Sequence, residues 1–257
     1  MEYFVETGRK ALMLEITVKT PTRKKCNIII YDPYKKNTVY SNREVTIEKD
    51  YVFKIRMPLT PETIKIYCNC EVTNVARKIL PRKFKKEQIP NYTMRSFVEF
   101  AEEFCEKAGW LKSGMKYTSD DGIFNIEYHD VLKDKSTGAV SNTPARIRAN
   151  DGGIEVSAQA FRKMTVFERI ALLFHEYCHV YKNINAESEM ESDRNSLFMF
   201  LGLGYPRYDA YKGWIYTFAN ARQGNAKLSI AHKHRLKQIE EIIEKFDDKF
   251  QTITFLS

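Results

Sequence analysis

Leu12, Leu14, Ile16 and Val18 alternate with Met13, Glu15, Thr17 and Lys19, the period-two pattern of a half-buried strand. Further short β-favouring runs follow at Cys26 to Tyr31, Thr38 to Tyr40, Val45 to Ile47, Tyr51 to Met57 and Thr63 to Val72. Asp32-Pro33 and Glu48-Lys49-Asp50 punctuate them as turns. Short strands at this spacing predict an antiparallel β-sandwich over residues 1–74. It holds no catalytic constellation, so it reads as a binding or assembly module. Residues 75–90 crowd Arg77, Lys78, Arg82, Lys83, Lys85 and Lys86 around Pro81 and Pro90, the composition of a basic linker.

Beyond residue 90 the period changes. Phe97, Phe100, Ala101, Phe104 and Cys105 form one stripe of a helix over Thr93 to Ala108, ended by Gly109. Strands are expected at Phe124 to Val131, Ala145 to Ala149 and Ile154 to Ser157, with Asn150-Asp151-Gly152-Gly153 as a turn. Thr165 and Glu168 then form a capping box ahead of a second helix that buries Val166, Phe167, Ile170, Ala171, Leu173 and Phe174. Asn183 and Asn185 mark its stop. Helices are expected again at Trp214 to Phe218 and Leu228 to Phe250, the latter with an apolar face of Leu228, Ala231, Ile239, Ile242, Ile243 and Phe246. The fold class is α+β, with residues 91–257 as the second domain.

The polar end of the Thr165 helix carries the chemistry. His175-Glu176-Tyr177-Cys178-His179 reads His-Glu-x-x-His, and two histidines four apart share a helix face, so both rings can reach one ion. A catalytic zinc site needs a third protein ligand. If the chain reverses near residue 184, the returning helix brings residue 189 opposite His179 and residue 193 opposite His175. Glu189 is then the third ligand, with Glu187 and Glu191 as rivals for the position. Asp193 shares the Glu189 face and would fix the tautomer of a ligand histidine. Glu176 is the general base. Tyr205, Arg207, Tyr208, Tyr211 and His232 are candidate oxyanion donors. His232 and His234 are two apart, share no face, and read as surface residues.

His-Glu-x-x-His followed by Glu-x-x-x-Asp resembles the gluzincin zinc metallopeptidases. The stretch from Glu187 to Tyr208, with Leu201-Gly202-Leu203-Gly204-Tyr205-Pro206-Arg207, resembles peptidase-like proteins encoded by tailed bacteriophages. The resemblance spans residues 91–257 in fold and about 35 residues in motif. The gap from His179 to Glu189 is shorter than gluzincins usually carry. The resemblance implies a zincin-like domain with zinc on His175, His179 and Glu189, Glu176 as base and Asp193 as support. It implies peptide-bond hydrolysis by a zinc-bound water that Glu176 activates, on a protein or peptide substrate. The strand before the active helix, near Gly153 to Ser157, would pair with that substrate. The alternative is a phage virion component (ring, neck or tail) in which the zincin is a scaffold.

Charge and cysteines adjust this picture. The net charge of +8 is lopsided: residues 1–90 carry +9 and the rest −1. The basic module is thus a docking face for an acidic partner or phage structural proteins, or an ordinary solvated sheet, with nucleic acid disfavoured for want of aromatic–basic interleaving. No apolar run is long enough to span a membrane, and the first residues lack a secretory layout. Five cysteines, none in a zinc-knuckle spacing, read as free thiols, with Cys68 and Cys70 as small core residues. The expected location is the host cytoplasm or the virion.

Overall fold

A computed structural model describes residues 2–80, 89–220 and 229–249, with backbone alone at 216–220 and 247–249. The fold is mixed α+β, antiparallel sheets first and helices later. The first sheet runs β1 (Glu2–Glu6), β6 (Thr63–Cys68), β3 (Lys24–Tyr31), β4 (Val39–Ile47), and the second β5 (Tyr51–Met57), β2 (Leu12–Lys19), β7 (Glu71–Ile79). Alternation is strict where both faces are defined. β2 buries Leu12, Leu14, Ile16 and Val18, β3 buries Cys26, Ile28 and Ile30, and β6 buries Ile64, Ile66 and Cys68. All five cysteines are buried free thiols.

Three sequence expectations change here. Thr38 to Tyr40 and Val45 to Ile47, expected as separate strands, are parts of the single strand β4. The run Thr63 to Val72 is two strands, broken where Asn69 accepts from the Asn27 amide at 2.7 Å and donates to Lys25 O at 3.1 Å. The expected linker at 75–90 begins as strand: residues 75–79 pair with β2, Val75 opposite Ile16 and Ile79 opposite Leu12. The basic Arg77 and Lys78 lie on an edge strand, where charge discourages unwanted pairing. Residues 81–88 lie outside the described residues.

The later part begins with α1 (Tyr92–Lys107), capped by the Asn91 side chain. A four-stranded sheet follows in the order β10 (Ala145–Ile147), β11 (Ile154–Ser157), β9 (Asn125–His129), β8 (Met115–Thr118), antiparallel except for β11 with β9. The sequence pattern does not announce β8. Next come α2 (Ala158–Phe161), α3 (Val166–Tyr181), α4 (Glu189–Gly202), α5 (Arg207–Asn220) and α6 (Ile230–Lys249). α5 starts well before the expected Trp214, and the expected ends Leu228 and Phe250 of the last helix lie outside the described residues. No helix among the described residues is long and apolar enough to cross a membrane.

The two parts share one hydrophobic core. Tyr40 of β4 packs edge-on against Phe167 of α3 and donates to Glu106 at 2.7 Å. Gly109 lies so close to the turn before β4 that a Cβ there would sit 2.4 Å from Asn37 O. Arg169 of α3 is fully buried and donates to three backbone carbonyls: Phe161 at 2.7 Å, Cys105 at 2.8 Å and Asn37 at 2.7 Å. One side chain thus fixes α3 against α2, the end of α1 and the N-terminal sheets. Arg169→Met keeps the reach and removes the donors. Phe161 O keeps the Met164 amide at 3.1 Å, so two carbonyls are orphaned, and at roughly 1 kcal/mol or more each the change should cost about 2 kcal/mol or more. Urea unfolding is expected to show a lower midpoint at unchanged slope; an unchanged midpoint would remove Arg169 from this role.

Candidate metal centre

The capping box at the start of α3 is formed: Thr165 accepts from Glu168 N at 3.1 Å, and Glu168 from Thr165 N at 2.7 Å. Every residue from Val166 to His175 is buried, so the first half of α3 is held on all sides. Glu176 and His179 are half-buried and face a cleft. The chain reverses over 182–188, and its polar groups build the turn. Asn183 donates to Ser192 Oγ at 2.7 Å, Ser188 caps α4, and Glu191 accepts the amides of Ile184 at 3.0 Å and Asn185 at 3.1 Å. Glu191 is thereby committed to the loop. Glu187 lines the cleft without joining the histidines.

Glu189 is the carboxylate the turn delivers. Its Oε2 lies 3.3 Å from His175 Nε2 and its Oε1 3.7 Å from His179 Nε2, and the two Nε2 atoms are 3.1 Å apart. Donors about 2.0–2.1 Å from a tetrahedral zinc ion sit about 3.3 Å from one another, so the spacing fits. The hydrogen bonds behind the rings decide what these nitrogens carry. His179 Nδ1 is 2.6 Å from Ala186 O, an acceptor only, so Nδ1 holds the proton and Nε2 is bare. His175 Nδ1 is 3.0 Å from Asp193 Oδ1, an approach that falls short of a linear bond but has the same consequence. In the neutral tautomers two lone pairs and a carboxylate oxygen point into one space. A cation or a shared proton would relieve that arrangement, and on the Glu189 side Arg235 already does so in part.

Electrostatics follow. Burial opposes a charge on His175, yet the Asp193 and Glu189 carboxylates outweigh it and push its pKa up to about 10 from 6.5. Burial would raise Asp193, but hydrogen bonds from His175 and Arg235 hold it down at about 2. Glu189 is lowered in spite of its burial, chiefly by His175 and then Arg235. Glu176 is raised by burial, against the pull of His175 and His179, and its Oε2 accepts the Ile147 amide at 2.9 Å. A carboxylate so placed can take and return a proton.

A cleft of about 400 Å³ opens over this group, walled by β10, by Leu172 and Val180 of α3, by Trp214 of α5, and by His232 and Arg235 of α6. β10 is the edge strand here, which corrects the expectation for residues 153–157. β11 is flanked on both sides, by β10 and β9, and has no free edge. The ladder bonds between β10 and β11 fall at Ser157 N to Pro144 O and Arg148 N to Gly153 O, so the backbone groups of Ala145 and Ile147 face away from β11.

Most of the expected oxyanion donors do not reach the cleft. Tyr205 is buried, stacks on Phe200 and donates to Glu102, because its ring completes the core between α1 and α4. Tyr208 lies beneath the Arg43 and Lys212 side chains, 4.9 and 5.3 Å from its ring, toward the N-terminal sheets. Tyr211 donates to Glu240 at 2.8 Å. Arg207 is not among the cleft residues, and His232 is. Sequence reasoning missed Arg235, which is three residues from His232 and so on its helix face, and Trp214, whose Nε1 donates to Asp193 Oδ1 at 2.7 Å.

A second group, Glu127, His129 and Glu155, has ligand-type atoms close together. Arg148 Nη1 holds Glu127 at 2.7 Å and Arg146 pairs with Glu155, so fixed cations already neutralise both acids. No protein-family model, curated protein or solved structure matches this chain.

A divalent ion entering the main site must displace the His175 proton. Its affinity is therefore expected to rise about tenfold per pH unit between pH 6 and 8, read by chelator competition. In the metal-free protein the same raised pKa has the opposite sign. It adds stability that is fully present below 6.5 and lost as pH climbs through about 10. A pH-independent metal affinity would contradict the proton count.

Proposed function

We propose that this chain is a zinc metallopeptidase of the gluzincin kind, with a zincin-like domain that hydrolyses peptide bonds. The carrying observation is the convergence of His175 Nε2, His179 Nε2 and a Glu189 oxygen, with both histidine tautomers set from behind. A mixed sheet leading into the motif helix supports the same arrangement. Zinc bound there supplies a Lewis acid that polarises a carbonyl and acidifies water.

The remaining work falls to the chain itself. Glu176, anchored through one oxygen by Ile147 N, has its other oxygen to accept a proton from the attacking water and pass it to the leaving amine. An extended substrate lies against β10, where the Ala145 backbone and the Ile147 carbonyl face the cleft and offer strand-type hydrogen bonds, the Ile147 N–H being held by Glu176. Leu172, Val180 and Trp214 give the cleft an apolar wall. His232, which alone of the expected donors lines the cleft, is the one we assign to the developing oxyanion. A purely structural role leaves the anchoring of Glu176 beside the ligands without a use.

Glu176→Gln is expected to bind zinc as the parent does and to lose at least about 100-fold in cleavage of an unfolded protein followed by mass spectrometry. Parental cleavage by that variant, with zinc retained, would overturn the proposal.

A further inference from the structure

One guanidinium on α6 touches both α4 carboxylates of the site. Arg235 meets Asp193 through two bonds, Nε to Oδ2 at 2.6 Å and Nη2 to Oδ1 at 2.9 Å. The same Nη2 lies 2.9 Å from Glu189 Oε2. We propose that Arg235 is the positioning residue of this centre, and that it couples metal occupancy to the docking of α6. The inference rests on the metallopeptidase reading.

Three observations carry it. Glu189 and Asp193 are four apart on α4, so their charges share a face and repel; a planar cation bridging both relieves that and fixes the angle between them. Asp193 is fully buried, and its oxygens take His175, Trp214 and both arms of Arg235. Its hold on the His175 ring therefore depends on the Arg235 fork together with the Trp214 bond, and the fork is the charged part of that support. Finally, the apolar anchoring of α6 is concentrated in a few residues, with Leu236, Ile242 and Ile243 only partly buried against the core. Ile239 and Phe246 are its buried apolar residues among those described, while Ala231, Lys233, His234 and Lys237 are exposed. A bidentate, mostly buried ion pair adds to that packing at the end of the helix that meets the site. If docking of α6 orients Glu189 for the ion, the ion must favour docking by the same factor.

The test uses the full chain, zinc alone as ligand, and the variants Arg235→Leu and Arg235→Lys. Zinc affinity is expected to fall about 10–100-fold in Arg235→Leu, with Arg235→Lys between it and the parent, because lysine keeps the charge and loses the fork. Amide exchange over residues 230–249 is expected to slow on adding zinc in the parent and not in Arg235→Leu. The metal-free melting temperature of Arg235→Lys should stay near the parental one, which separates positioning from general support. Parental zinc affinity in Arg235→Leu overturns the proposal, as does α6 exchange in the parent that ignores zinc. If the leucine variant does not fold, parental zinc affinity in Arg235→Lys overturns it, and weakened affinity supports it. A parent that takes up no zinc fails earlier, and removes the metallopeptidase reading too.

Discussion

Three inward-facing backbone carbonyls, two of them with Arg169 as their donor and the third shared with the Met164 amide, decide where α3 lies. The ends of α1 and α2 and the turn before β4 each leave one pointing inward, and the buried fork of Arg169 takes all three. A buried cation is costly unless its hydrogen bonds are filled. The arrangement is therefore satisfied in one position of the helix, and sliding α3 by a turn would orphan the Cys105 and Asn37 carbonyls and the guanidinium itself. The N-terminal sheets are thus part of the device that holds the motif helix, whatever else they bind.

With α3 fixed, the geometry of the centre follows from short-range events. The reversal at 182–188 has its polar groups consumed by Asn183, Ser188 and Glu191, which sets the angle at which α4 returns. The return places Glu189 beside two imidazoles whose far nitrogens are already occupied by Ala186 O and Asp193. Each partner removes a degree of freedom from a donor atom. This is why a short gap between His179 and Glu189 suffices: the turn is tight because its own side chains close it.

The sequence made the local part of this legible and hid the rest. His175, Glu176 and His179 lie on one helix with a visible cap, and Glu189 and Asp193 follow from reflecting one helix onto the next. These are contacts within about twenty residues, where periodicity is a sufficient ruler. Arg235 lies more than forty residues beyond Asp193, and nothing in helical periodicity says which face of α6 meets α4. The tyrosines fail for a related reason. A phenol satisfies a buried acid as readily as it lines a cleft, and Tyr205 is drawn to Glu102 by core packing that no local pattern records. Arg77 and Lys78 read as linker because an edge strand with exposed basic side chains has the composition of a solvated connection.

The edge strand and the base are not independent. Ile147 N–H points away from β11 because the ladder alternates, and Glu176 is the group it meets. Shifting β10 by one residue would turn that amide toward β11, leaving Glu176 buried without its donor and withdrawing the outward backbone of Ala145. The strand register therefore sets the position of the proton acceptor and the direction of a bound chain together. A substrate laid along β10 meets a base already placed by the same ladder, and the two need no separate adjustment when it arrives.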